Sequence, residues 1–278
     1  MKQTTRILSV LSLSILLMLL TTSLNHTSLA QDKPAQKSQP AAQMPPAPSM
    51  LSINVVHIKP DMITDYQEFA KNETIPALQK GGVTVREAWT TAVFGESYEY
   101  TYVTPIANWA DFDGPTPIVK ALGQDGARAY GMKARKFITS SRTYAVQMRP
   151  DLSFMGKMTW PPKMAVVNSI HVMPGRNQDF ENLLKSDVLP AMKKADVLAY
   201  LVSQTVHGGD VTEYITLTIV DSFAEMGKGS PLIRGMGQEA FNKFLAKGAG
   251  LIAHQERSVI RYVPELSITT ATVKADNK

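Results

Sequence analysis

Residues 164–194, MAVVNSIHVMPGRNQDFENLLKSDVLPAMKK, decide the fold because the chain carries a related stretch at residues 51–80, LSINVVHIKPDMITDYQEFAKNETIPALQK. The match keeps a constant offset of 114 positions, which pairs His57 with His171. A unit of this length is too long for a solenoid repeat of about 20 to 50 residues, and it occurs only twice. The pattern therefore predicts a duplicated domain. Other pairs at the same offset are Pro60 and Pro174, Pro76 and Pro190, Glu99 and Glu213, and Gly123 and Gly237.

The N-terminal residues have the pattern of an export signal. Lys2 and Arg6 precede an apolar run at residues 7–20, and Ser28 and Ala30 give the small-x-small pattern that signal peptidase cleaves. A membrane anchor is the alternative, but the run is shorter than the roughly 20 residues that a spanning helix needs. We expect a periplasmic or secreted protein with no membrane span after signal removal.

Composition limits what the mature chain can be. The 278 residues contain no cysteine, which excludes disulfides and a lipoprotein anchor. The net charge is +5, but no Lys/Arg stripe is interleaved with aromatic residues, so we expect no nucleic-acid partner. The predicted layout is a signal peptide (1–30), a disordered spacer (31–50), repeat 1 (51–153), a linker (154–163), repeat 2 (164–267) and a flexible tail (268–278).

Each half has the same predicted order of elements. Short Val- and Ile-rich runs end at Lys59-Pro60 and Met173-Pro174, as strands do, and amphipathic helices follow. Pro76 and Pro190 predict that these helices break and restart. A hairpin, a second helix and a last strand complete a βαββαβ unit.

This order predicts an α+β fold made of two tandem ferredoxin-like repeats. In the predicted strands, apolar residues occur on both faces, as in the stretch from Ile53 to Ile58. One face packs on the helices, and the other needs a second partner. We therefore expect the two sheets to face each other as an intramolecular α+β barrel.

The sequence resembles the dimeric α+β barrel superfamily, which includes antibiotic-biosynthesis monooxygenase-like and NIPSNAP-like proteins. The resemblance rests on His171-Val-Met-Pro-Gly-Arg176 followed by Phe180-Glu-x-Leu-Leu184, and it covers residues 51–267. It implies a barrel formed by two sheets. Members of the group include enzymes that oxidise polyketides without a cofactor, proteins that degrade or bind haem, and proteins without a known reaction. The Asn, Trp and His residues of the haem-degrading members have no match here.

The candidate site residues lie near the ends of the strands. They are His57, Glu99 and Arg142 in the first half, and His171, Glu213 and His254 in the second. A last strand antiparallel to the first places His254 near His171. Taking the first and third strands as parallel predicts that each His and its matching Glu are about 10 Å apart, which does not favour a dyad.

Several interpretations of these residues stay open. The histidines could bind a ligand, or they could tie strand ends to the following loops. We predict no metal site, although two histidines and a carboxylate leave a divalent ion open, and a cofactor such as haem is not excluded. Arg142 corresponds to Glu256, a difference that would polarise a pocket. No Gly-x-Ser-x-Gly elbow or phosphate loop is present.

Two functional hypotheses remain. The first is an exported protein that binds a small molecule in the barrel, with an oxygenase-like reaction that needs no cofactor. The second is a non-catalytic envelope protein whose barrel is filled by side chains such as Ile215, Leu217 and Val259 and which acts through its outer helices. Either protein could be a monomer or a homodimer. The interior volume of the barrel distinguishes the two hypotheses.

Overall fold

The computed structural model describes residues 49–269. The predicted signal peptide, most of the spacer and most of the C-terminal tail lie outside the described residues. Within residues 49–269, no helix is both long and apolar enough to cross a membrane.

The first half contains four long strands and three helices. In chain order they are β1 (Met50–Ile58), α1 (Ile63–Phe69), α2 (Ile75–Lys80), β2 (Glu87–Thr91), β3 (Glu99–Pro105), α3 (Pro117–Ala134) and β4 (Ile138–Met148). Thr116 caps α3, because its hydroxyl accepts a hydrogen bond from the backbone N–H of Val119. A two-residue strand, β5 (Phe154–Met155), follows in the segment between the halves.

The second half has the same order of strands. Its elements are β6 (Met164–Val172), α4 (Asn177–Leu183), α5 (Leu189–Lys194), β7 (Ala199–His207), β8 (Glu213–Val220), α6 (Phe223–Met226), α7 (Pro231–Met236), α8 (Gln238–Gly248) and β9 (Ile252–Tyr262). The first strands of the halves, β1 and β6, begin 114 residues apart, at Met50 and Met164.

Eight of these strands form one closed antiparallel barrel. The order around it is β4-β1-β3-β2-β9-β6-β8-β7, and β7 closes the ring by pairing with β4. The first half meets the second where Trp89 of β2 pairs with Tyr262 of β9. This architecture confirms the predicted α+β class and the barrel.

The helices continue through the two prolines instead of breaking there, contrary to the sequence-based prediction. A π-helical turn at Ala70–Thr74 joins α1 to α2 around Pro76, and another at Leu184–Val188 joins α4 to α5 around Pro190. A wider turn accommodates the proline ring and its missing N–H within the helix.

Two glycines interrupt the later helices at matching places. Gly123 bends α3 with φ of 69°, and Gly237 separates α7 from α8 with φ of 84°. This left-handed conformation is costly for residues with a Cβ atom, which accounts for glycine at both positions.

Strand alternation divides the barrel wall into two faces, as β1 illustrates. Val56 and Ile58 pack with Tyr66 of α1 in a core between sheet and helices. Ile53, Val55 and His57 face the barrel interior. Both faces of the strands are therefore covered, which explains why apolar residues occur at both parities.

Candidate functional site inside the barrel

The barrel encloses a cavity of about 800 Å³. Ile215 and Leu217 lie on its wall without filling it, whereas Val259 packs on the outer face of the sheet, with Met164 and Val220. A volume of this size is within the range of small-molecule sites, roughly 300 to 1,000 Å³. The observed cavity does not favour the filled-barrel hypothesis.

The polar residues of the cavity gather at one end of the barrel. Four antiparallel pairings separate β1 from β6, so the two strands run in the same direction. His57 and His171 lie near the C-terminal ends of these strands and therefore at the same end. We call this end the polar mouth and define it by the cavity-lining residues His57, Glu99, Arg142, Glu213 and Glu256.

The opposite end of the cavity is apolar. Leu51, Val103 and Met148 line it from the first half of the barrel. Met158 and Trp160, from the segment that connects the two halves, also line the cavity. The cavity therefore presents charged groups at one end and aliphatic and aromatic groups at the other, which suits a mostly apolar ligand that carries a polar group.

His57 and Glu99 form a dyad, contrary to the sequence-based expectation of about 10 Å between them. The crossover through α1 and α2 makes β2 parallel to β1, and the hairpin then makes β3 antiparallel to β1. His57 is thus directly opposite Glu99, with 3.2 Å between Nε2 and Oε2. The predicted distance was wrong because it assumed that the first and third strands are parallel, whereas β1 and β3 are antiparallel.

Both ring nitrogens of His57 have a hydrogen-bond partner. Nε2 lies 3.2 Å from the Glu99 carboxylate, to which its N–H donates, and Nδ1 lies 3.1 Å from the Ser140 hydroxyl. Burial raises the pKa of Glu99, and the neighbouring His57 partly opposes that effect. A carboxylate with a raised pKa that lines a cavity is suited to accept a proton from a ligand.

The matching pair in the second half is bonded differently. His171 Nδ1 lies 3.1 Å from Asp210 Oδ2, whereas its Nε2 is 3.8 Å from Glu213 Oε1. Glu213 instead accepts hydrogen bonds from the hydroxyls of Ser169 (2.6 Å) and Thr205 (2.9 Å). The Glu213 carboxylate is thus held by two hydroxyl donors, whereas Glu99 contacts the imidazole of His57 directly.

His254 lies next to His171, as predicted from the antiparallel arrangement of the last and first strands. The two residues pair across β6 and β9, and their ring centroids are 5.9 Å apart. His254 Nε2 is 3.1 Å from Glu256 Oε1 at the exposed rim. Within residues 49–269, no group of three or more His, Asp or Glu side chains has a geometry that could hold a metal ion.

Arg142 and Glu256 give the polar mouth opposite charges on its two walls. Both side chains line the cavity, on β4 and β9 respectively. The Arg142 guanidinium lies 5.0 Å from the centroid of the Tyr144 ring, and it forms no ion pair within the described part of the chain. Arg142 is therefore free to contact an anionic or carbonyl group of a ligand.

Sequence reasoning missed Glu87 on β2. This residue lines the cavity opposite Val103, away from the polar mouth, and its Oε2 accepts a hydrogen bond of 3.1 Å from Trp89 Nε1–H. Burial raises the pKa of Glu87 to about 7. The sequence did contain a signal for this residue: at the offset of 114 positions, Glu87 corresponds to the apolar residue Leu201.

Comparisons with solved structures support the fold. No protein-family model and no curated protein sequence matches the chain. A monooxygenase candidate from Lactobacillus acidophilus NCFM matches 81% of this chain and 97% of its own, at 10% identity and a TM-score of 0.51. An anthrone oxidase-like protein matches 77% of this chain and 91% of its own, at 12% identity and the same TM-score, 0.51.

A mutant chlorite dismutase from Candidatus Nitrospira defluvii also has this architecture, with 8% identity over 84% of this chain and 98% of its own and a TM-score of 0.50. At these identities the likeness concerns the fold alone. These neighbours belong to the dimeric α+β barrel superfamily, and the closed antiparallel barrel of this chain is of the same type.

Proposed function

We propose that this protein binds a mostly apolar small organic molecule inside its barrel and oxidises it with O₂ in a reaction that needs no cofactor. The cavity of about 800 Å³, which has a His–Glu dyad at one end, carries this proposal. The alternative, a non-catalytic envelope protein, predicts a barrel filled by side chains, which this cavity does not favour.

The proposed reaction begins with removal of a proton from an activated C–H bond of the substrate. The Glu99 carboxylate accepts the proton, and His57 holds that carboxylate through Nε2–H. The resulting carbanion transfers its electrons to O₂, a C–O bond forms, and the peroxide loses water to leave a carbonyl group. For anthrone, the balance is anthrone plus O₂ giving anthraquinone plus water.

Two observations support this reaction class over simple binding. Burial raises the pKa of Glu99, which makes its carboxylate a stronger base than an exposed one. Solved structures with this fold include an anthrone oxidase-like protein and a monooxygenase candidate. The substrate supplies all the electrons, so the reaction requires no bound haem, flavin or metal.

The proposal includes export and duplication. Residues 1–30 would direct the chain to the periplasm or the medium, and the mature protein would begin near Gln31. The two halves would descend from one ferredoxin-like unit, at residues 51–153 and 164–267. The constant offset of 114 in sequence and the matching strand pairings His57–Glu99 and His171–Glu213 support this origin.

Oxygen uptake tests the reaction. Purified residues 31–278 should consume O₂ with anthrone above the rate of the heat-denatured protein, and one O₂ should be consumed per anthraquinone formed. Glu99→Gln should lower this rate about 10²-fold or more, because an amide cannot accept the proton. Glu239→Gln, on the exposed surface of α8, is the matched control and should keep the full rate.

Native mass spectrometry and visible absorption of the same protein would reveal a molecule retained from the host. A retained apolar compound would supply the true substrate class. If the wild type neither consumes O₂ with anthrone nor binds any apolar probe, the proposed function is wrong. If it binds probes but consumes no O₂, the binding function remains and the reaction is wrong.

A further inference from the structure

Glu87 is a carboxyl group inside the cavity that holds no part of the fold together. Its hydrogen bond to the Trp89 indole links residues two positions apart on the same strand. A structural acid of this protein is different: Glu181 of α4 accepts hydrogen bonds from Arg149 and from Tyr214, which lie on other elements. The position of Glu87 therefore calls for another role.

The surroundings of Glu87 favour its neutral form. Among the described residues, no Lys, Arg or His forms an ion pair with Glu87, and Tyr262 of β9, whose pKa is raised by burial and by Glu87, is a titratable neighbour that carries no positive charge. A carboxylate buried without a cation is costly, so the group holds its proton up to about pH 7. Oε2 accepts the hydrogen bond from Trp89, so in the protonated acid Oε1 is the oxygen that can carry the O–H, on a residue that lines the cavity.

We propose that Glu87 is the recognition group for a carbonyl, or another neutral acceptor oxygen, on the buried end of the ligand. Protonated Glu87 donates a hydrogen bond to that oxygen, and Trp89 packs beside it on the same wall. This inference rests on the proposed function, since it names the ligand class of the same cavity. A protonated acid in an apolar site is a known way to bind and polarise a carbonyl oxygen.

The spacing of the two acids sets the length of the ligand. Glu87 pairs with Val103 of β3, and Val103 is four residues after Glu99 on that strand. At strand rise the two carboxyl positions are therefore about 13 Å apart along the strand. A ligand that reaches both acids is an elongated apolar molecule, with an acceptor oxygen at the apolar end and its reactive carbon near the polar mouth.

The opposite wall differs at the matching place. Leu201 occupies the place that matches Glu87, and Ser203 occupies the place that matches Trp89, and both line the cavity. The place that matches Glu87 therefore has no carboxyl group on the opposite wall, which favours one direction of the carbonyl.

Two probes of the same shape test the inference: 2-acetylnaphthalene, which has a carbonyl, and 2-isopropenylnaphthalene, in which a methylene group replaces the carbonyl oxygen. Calorimetric titration of residues 31–278 at pH 6 should show about five- to tenfold tighter binding of the ketone, the effect of one hydrogen bond in a buried site. This preference should disappear by pH 8.5, because Glu87 then loses its proton.

Two variants separate the hydrogen bond from packing. Glu87→Gln keeps a donor for the ketone and an acceptor for the indole, so the ketone preference should persist and become independent of pH. Glu87→Leu makes this wall match Leu201 and should bind both probes equally. Leu201→Met, on the opposite wall, is the control and should keep the wild-type preference. Circular dichroism checks that each variant is folded. If Glu87→Leu does not fold, the pH dependence of Glu87→Gln tests the inference instead.

The outcomes are distinct for the two proposals. If both probes bind the wild type equally at every pH, the role of Glu87 is wrong while the binding function stands. If Glu87→Leu keeps the preference for the ketone, the role of Glu87 is also wrong. If neither probe binds the wild type, the binding function itself fails, and this inference fails with it.

Discussion

Arg149, which directly follows β4, is joined to Glu181 on α4 by two hydrogen bonds, one of them 2.7 Å between Nη2 and Oε2. The same guanidinium also binds both oxygens of Asp151. These contacts connect the end of the first half to a helix of the second. Arg149 and Glu181 are largely buried, with side chains 18% and 13% exposed, so the connection is shielded from water.

Removal of Arg149 should therefore destabilise the whole barrel. We expect Arg149→Ala to lower the free energy of unfolding by about 2 to 3 kcal/mol, because Glu181 keeps its charge without a partner. Lys133→Ala is the control, since it removes an exposed ion pair with Glu73 and should cost less than about 1 kcal/mol. Urea unfolding of both variants measures the difference, and equal losses would show that the Arg149 contacts are dispensable.

The same cluster predicts acid sensitivity. Hydrogen bonds from Arg149 lower the pKa of Glu181 and lower that of Asp151 to about 2. Because these pKa values are lower in the folded protein than in the unfolded chain, the two ionised carboxylates stabilise the fold at pH values above about 4. That stabilisation is lost as the pH falls toward 2. Between pH 5 and 2.5, the unfolding free energy of the wild type should fall more steeply than that of Arg149→Ala. Parallel curves would contradict this assignment.

Glu87 predicts the opposite dependence. Its pKa is raised from 4.5 to about 7 in the folded protein, so the folded state binds the proton more tightly than the unfolded chain. Stability associated with this group is present below pH 4.5 and declines as the pH rises through 7. Glu87→Gln should match the wild type at pH 4.5 and exceed it at pH 8.5 by up to about 3 kcal/mol. Thermal unfolding at the two pH values measures this, and no gain at pH 8.5 would place the pKa near its ordinary value.

His57 should act as a positioning residue for Glu99. His57→Ala should lower the rate of anthrone oxidation by about tenfold and shift the pH at which the rate reaches half its maximum, because the carboxylate loses its donor. A purely structural histidine would change only the melting temperature. The double variant His57→Ala, His171→Ala should therefore lose activity even at temperatures where it remains folded.

The left-handed glycine at position 237 predicts a backbone effect. Gly237→Ala should cost about 1 to 2 kcal/mol of stability, because alanine is strained at φ of 84°. Gly131→Ala within α3 adds a Cβ that would meet only the end of the Arg135 side chain, at an ordinary contact distance of 3.6 Å, so it should be neutral or stabilising by about 0.5 to 1 kcal/mol. Melting temperatures of the two variants check the contrast.

The order of elements and the barrel were predictable because the sequence carries the same pattern in both halves, with short Val- and Ile-rich runs in the strands and apolar residues three and four positions apart in the helices. The proximity of His171 and His254 followed from strand direction alone. The His57–Glu99 contact was missed because the direction of one strand was assigned wrongly, which moved the partners by several residues.

Glu87 was missed for a different physical reason. A charged residue that alternates with apolar ones in a strand is typical of a solvent-facing position. In the closed barrel neither face of β2 is turned to bulk solvent. Ala88 packs under the helices, and Glu87 and Trp89 face the cavity. The pattern of one strand cannot distinguish bulk water from an enclosed cavity, whose existence depends on closure by distant strands.

Closure of the barrel by a single chain has a consequence for selectivity. In a barrel built from two identical subunits, each wall residue occurs twice, and a bound molecule turned by half a revolution has the same energy. Here a half turn exchanges Glu87 with Leu201 and Arg142 with Glu256. The two orientations are no longer degenerate, so this barrel can present one particular edge of an asymmetric molecule to Glu99, and the reaction that we propose would then yield one regioisomer.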